Sequence, residues 1–69
     1  MEISARNVLK GTVKDIEIGA VNAEVTVEIA PGIDITSIIT KKSCERLGLA
    51  KGKTAYAIVK ASNVMIGAE

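Results

Sequence analysis

Three short stretches carry side chains suited to chemistry: "SARN" (Ser4 to Asn7), "TKKS" (Thr40 to Ser43) and "VKAS" (Val59 to Ser62). Arg6 offers a planar fork of donors that matches an oxyanion. Thr40 and Ser43 bracket a predicted helix start, where free backbone N–H groups and two hydroxyls can cradle an anion. Lys60 is a point charge followed by Ala61 and Ser62, small enough to let a ligand approach the backbone. Each stretch also has a purely structural reading: a solvated N-terminus, a plain Thr40 N-cap bonded to the Ser43 amide, and a lysine that snorkels from a strand end. Taken together, the three share one chemistry of donors, cations and hydroxyls, with no carboxylate. Such a set binds an oxyanion and does not transform it. The chain has no histidine to titrate near neutrality. Cys44 falls on the face of the helix expected to point inward, without a base, so it is no candidate nucleophile.

The helix start poses its own question. The positive end of a helix favours acidic side chains, yet Lys41 and Lys42 occupy the first turn. An anion from outside the chain, held at the cradle, would offset that cost through its field.

The elements that must hold these groups are legible from periodicity. Val21, Ala23, Val25, Val27 and Ile29 alternate with Asn22, Glu24, Thr26 and Glu28, the pattern of a half-buried strand. Before it, Val8 to Ile18 alternates imperfectly and reads as a strand that changes face or bulges near Gly11. "APG" (Ala30 to Gly32) is a turn, and Ile33 to Ile39 a third strand. The short helix spans about Lys41 to Leu47, with Cys44 and Leu47 on one inward face and Gly48 as its stop. "AKGK" (Ala50 to Lys53) is a turn, Thr54 to Lys60 a fourth strand and Asn63 to Ile66 a fifth. This order predicts a mainly β fold: a small five-stranded OB-like antiparallel barrel, with one short helix between strands 3 and 4.

With 69 residues the chain has room for a single domain, residues 1–69. A domain of this size buries only about 60% of its unfolded surface and needs a staple. One Cys and no His supply neither a disulfide nor a structural zinc site, which leaves oligomerisation. A formal net charge of +1 argues against a general nucleic-acid binder. No signal peptide and no apolar run of about 18 residues is present, so neither export nor a membrane span is expected. The lone thiol suits a reducing cytoplasm.

The segments "MEISARNVLKGTV", "AEVTVEIA", "ITSIIT…S…RLGL…G" and "AIVKASNVMI" together resemble the molbindin, or Mop, family of molybdate-binding proteins, in the right order over essentially the whole chain. The resemblance implies an OB-like barrel assembled into a homo-hexamer, a trimer of dimers, that binds molybdate or tungstate between subunits and stores or buffers it, without an organic cofactor. It implies an oxyanion site drawing on Ser4, Ala5 and Arg6, on Thr40 and Ser43, and on Lys60, Ala61 and Ser62. It also implies a second class of oxyanion site around the first hairpin, at Ala20, Val21, Asn22 and Ala23. Pro31 stands outside the family pattern.

The alternative is a small nucleic-acid-binding regulator, of OB-like or swapped-hairpin type. OB-like barrels stack bases on aromatics, and Tyr56 is the sole aromatic here. Swapped-hairpin regulators share the look of "IT…RLGL…KGK" but carry a proline where this chain has Lys41, and they lack "SARN".

Overall fold

A computed structural model describes all residues from Met1 to Glu69. Strict alternation makes β2 (Asn22–Ala30) the best-specified strand, and it lies inside the sheet. It turns Ala23, Val25 and Val27 into the core and its charged residues outward. β1 (Asn7–Ile18), β3 (Ile33–Thr40) and β4 (Thr54–Val59) complete a four-stranded antiparallel sheet of order β3-β2-β1-β4. The hairpin between β2 and β3 turns through Pro31 and Gly32, where Gly32 takes φ 76° as the "APG" reading requires.

β1 carries its bulge later than its sequence suggests. The register slips between Val13 and Asp15, which leaves Lys14 as the extra residue. Leu9, Gly11 and Val13 face inward, and beyond the bulge the inward position passes to Ile16. Gly11 serves a different purpose. A Cβ there would lie 2.7 Å from Val27 Cγ1 and closer still to the Glu28 carbonyl oxygen, so β1 and β2 approach too tightly for a side chain. The turn before β4 docks on the bulge: Val13 N–H donates to the Lys53 carbonyl, and Gly52 N–H to the Val13 carbonyl, both at 2.8 Å.

α1 (Lys41–Arg46) follows β3 directly and sets Cys44 into the core beside Val13, Ala23, Val25 and Val27. Leu47, expected on the same inward face, is instead 61% exposed. The helix ends one residue sooner than its three-apart spacing requires, with Leu47 as C-cap and Gly48 at φ 64°. The inward apolar contact passes to Leu49.

The expected fifth strand at Asn63 to Ile66 is not formed within the chain. A one-turn 3₁₀ helix, Ala61–Asn63, follows β4, and the residues beyond Asn63 pair with no strand. A strand needs a partner edge, and the tail leaves its own sheet. The sheet curls so that its two edges, β3 and β4, face each other across an open cleft of ≈ 240 Å³. In one chain the architecture is therefore a curled, four-stranded OB-like sheet with a gap.

Only five of the 69 residues are buried, all of them apolar or thiol. So small a core leaves large apolar side chains in solvent, Ile38 and Val21 at 70% exposure among them.

Candidate functional site

Two of the three stretches meet through strand pairing. β1 and β4 run antiparallel with Asn7 opposite Val59. Arg6 therefore precedes the first residue of that pairing and Lys60 follows the last, so both emerge at the same end of the sheet. The Asn7 side-chain amide locks this end by donating to the Val59 carbonyl at 3.2 Å. The result is a cleft of ≈ 610 Å³ lined by Ser4, Ala5, Arg6, Ile58, Lys60, Ala61 and Ser62. Six of these are residues that the sequence proposes for an oxyanion. The seventh, Ile58, sits two positions before Lys60 on the same outward face of β4 and escaped notice because its chemistry is bland; the period-2 pattern of β4 is the signal that would have found it.

No carboxylate lines this cleft, and neither cation in it is spent on an internal ion pair. The only ion pairs in the structure belong to Lys14, which binds Asp34 at 2.9 Å and Glu28 at 4.0 Å, away from the cleft. Arg6 and Lys60 thus stand side by side in solvent with like charges and no protein counter-ion, an arrangement that an incoming anion relieves.

The third stretch lies elsewhere in the chain. Thr40 caps α1: its Oγ1 accepts from the Ser43 amide at 3.0 Å and donates to Ser43 Oγ at 2.9 Å. With its acceptor role taken up in this way, the Ser43 hydroxyl keeps its own proton for another acceptor. The first turn holds no acidic residue. Thr40, Lys41 and Lys42 line a separate cleft with Ala20, Val21 and Glu45. Glu45 went unremarked in the sequence. It stands one turn from Lys41, the spacing at which opposite charges on a helix attract.

The residues proposed for a second site do not share one environment. Ala20 and Val21 flank the helix start, where the Val21 carbonyl accepts from the Lys41 amide at 2.7 Å. Asn22 begins β2 opposite Thr40 and faces another cleft with Glu17 and Glu24. Ala23 is wholly buried in the core, so its methyl is closed to any ligand.

The arrangement can hold an anion through charge and N–H or O–H donors. It offers no cluster of His, Cys, Asp or Glu for a metal cation, and no helix is long and apolar enough to cross a membrane.

With the small curled β-sheet and its cation-lined cleft at the β1–β4 end described, comparison places the chain in one class of domain. The TOBE domain family matches residues 3–66, and the chain belongs to that family. Within it the chain is a member of the Mop group of molybdate-binding proteins. It is 49% identical to the probable molybdenum-pterin-binding protein of Haemophilus influenzae, with the match spanning 100% of both chains. The structure of MopII from Clostridium pasteurianum superposes with a TM-score of 0.91 at 52% identity, covering 97% of this chain and 100% of that one. ModG, described as a cytoplasmic molybdate-binding protein and solved with molybdate bound, superposes with a TM-score of 0.89 at 55% identity, over 94% of this chain and 46% of its own. These relatives are named for binding.

Proposed function

We propose that this protein binds molybdate, and tungstate as its near-isostere, non-covalently and without an organic cofactor. It would serve as a cytoplasmic, non-enzymatic store or buffer of the oxyanion, formed by a single domain over residues 1–69. One observation carries the reading: the antiparallel pairing of β1 and β4 gathers Arg6, Lys60, Ser4 and Ser62 into one cleft free of carboxylates. The molybdate-bound relative supports the identity of the anion.

Thr40 and Ser43 line no part of that cleft in the same chain. If both groups serve one anion, the helix start of one copy meets the Arg6–Lys60 cleft of another. This division of labour favours sites between subunits of a homo-hexamer built as a trimer of dimers, with a second class of site near Ala20 and Val21. The sparse core points the same way, since a chain with so little buried surface gains its stability from neighbours.

Titration calorimetry with molybdate, repeated in excess sulfate, tests the reading. Donors fixed by strand ends and a helix cap close on the larger tetrahedral dianion and cannot all reach the smaller one. Molybdate should bind with sulfate competing weakly; equal affinity for sulfate would refute the proposal. The nucleic-acid alternative finds no support in the surface, where the one aromatic, Tyr56, offers a single stacking platform.

A further inference from the structure

Asn7 is the one residue of the "SARN" stretch that does not line the oxyanion cleft. It opens β1 on the strand's inward face, in step with Leu9, Gly11 and Val13, and is half-buried there. A polar side chain turned toward a core needs a partner. Its carboxamide finds one in the Val59 carbonyl, 52 residues away in sequence. No other side chain in the structure bonds to the backbone of a different strand. Nδ2 must be the atom that faces Val59, because the carbonyl accepts and Oδ1 cannot donate.

The place of this bond matters more than its strength. Val59 is the last residue of β4, and its carbonyl shares a peptide plane with the Lys60 nitrogen. On the other side of Lys60, its own carbonyl accepts from Asn63 N–H at 2.8 Å. Both peptide planes that flank the Lys60 Cα are therefore tethered. This fixes Lys60 at φ −61° and ψ 131°, and with them the direction in which its side chain leaves the backbone. No side chain caps the 3₁₀ turn at Lys60, so Asn7 alone among side chains holds either plane. Asn7 is also joined covalently to Arg6. One side chain thus ties together the roots of both cations, and neither residues 4–6 nor residues 60–62 belong to a strand that could hold them instead.

We propose that Asn7 is a positioning residue for the oxyanion cleft. Through Val59 it sets the span between Arg6 and Lys60, and that span gives the site its preference for a large tetrahedral dianion over a small one. The inference rests on the function proposed above and deepens it. Long cationic side chains on loose roots splay apart when the cleft is empty and close on any dianion that enters. Held roots prevent both. The donors keep a spacing matched to one anion size, and a smaller anion leaves some of them unpaired.

The experiment compares the full-length wild type with two variants. Asn7→Leu nearly keeps the side-chain volume and suits an inward position; Asn7→Ser ends an atom short of the Val59 carbonyl. Titration calorimetry with sodium molybdate, alone and in competition with sodium sulfate, gives the ratio of the two affinities for each protein. In both variants molybdate affinity should fall by roughly tenfold or more, as when an outer partner of a metal ligand is removed. Sulfate affinity should fall less, so the ratio contracts. A role in folding alone would move both anions together, through the folded fraction, and leave the ratio at its wild-type value. Backbone amide NMR of the anion-free proteins supplies a second reading, with shift changes expected to centre on Arg6 and on Lys60 to Ser62. Shift changes spread evenly through the sheet overturn the proposal. Should Asn7→Leu fail to fold, the ratio in Asn7→Ser decides. If the wild type prefers molybdate and the folded variants prefer it as strongly, the positioning role is refuted and the proposed function stands. A wild type that takes up no molybdate, or does not prefer it to sulfate, refutes both.

Discussion

Ser43 and Lys60 separate ligand binding from folding, because neither holds the sheet together. Thr40→Ala removes the α1 cap and should cost about 1 kcal/mol of stability. Ser43→Ala removes only a hydroxyl that accepts from Thr40, and Thr40 can donate to water instead. Its stability should stay within about 0.5 kcal/mol of wild type, while molybdate affinity falls by roughly 1.5–3 kcal/mol, the value of one charge-assisted hydrogen bond. Lys60→Met keeps the apolar stem, removes the charge from the cleft, and should weaken binding further with assembly intact. Calorimetry for affinity and apo-state melting for stability distinguish these outcomes. The rise in melting temperature on adding molybdate should shrink in step with the lost affinity.

At the scale of elements, the β1–β2 contact is the least forgiving. Gly11→Ala sets a methyl against the Glu28 backbone, which no rotamer change can relieve. Urea unfolding should show a loss of at least about 1–3 kcal/mol, as for overpacking elsewhere, in contrast to the tolerance expected at exposed positions. The bulge just beyond it aims Lys14 across the sheet at β3. The Lys14 pKa is raised, first by the hydrogen bond its ammonium donates to Asp34, then by the charges of Asp34 and Glu28. A raised folded-state value means that the stability from this pairing is present in full below about 10.5, the ordinary lysine value. It is lost as pH rises through the higher folded value. The stability difference between wild type and Lys14→Met should therefore be flat from pH 7 to 10 and narrow at higher pH. It should be small throughout, because the pair is exposed.

For the whole molecule, the sparse core ties folding to the assembly proposed above. The melting temperature should rise with protein concentration, because subunit association stabilises the folded state by mass action. Native mass spectrometry should report six chains, with bound mass that depends on added molybdate. A melting temperature independent of concentration from micromolar to millimolar would contradict an obligate assembly.

Local chemistry was readable from the amino-acid order. The alternation of Val25 and Val27 with polar neighbours specified β2, because period 2 puts every other side chain on one face whatever lies beyond. Pro31 and Gly32 specified their turn, and Thr40 its cap to Ser43, because both are contacts within a few residues. The donor-only character of the three stretches needed no fold at all. Long-range pairing decided the rest. Arg6 and Lys60 share a cleft because Asn7 lies opposite Val59, a register that no local pattern encodes. Thr40 and Ser43 are set apart from them because α1 springs from the end of β3 that registers, through Asn22 and Ala23, with Ile18, at the opposite end of β1 from Asn7. The bulge fell at Lys14 and not at Gly11 because the β1–β2 register and the docking of Gly52 and Lys53 on Val13 settle where the extra residue goes. Val64 to Ile66 has the composition of a strand and is not one in the single chain, because a strand exists only where another edge meets its backbone.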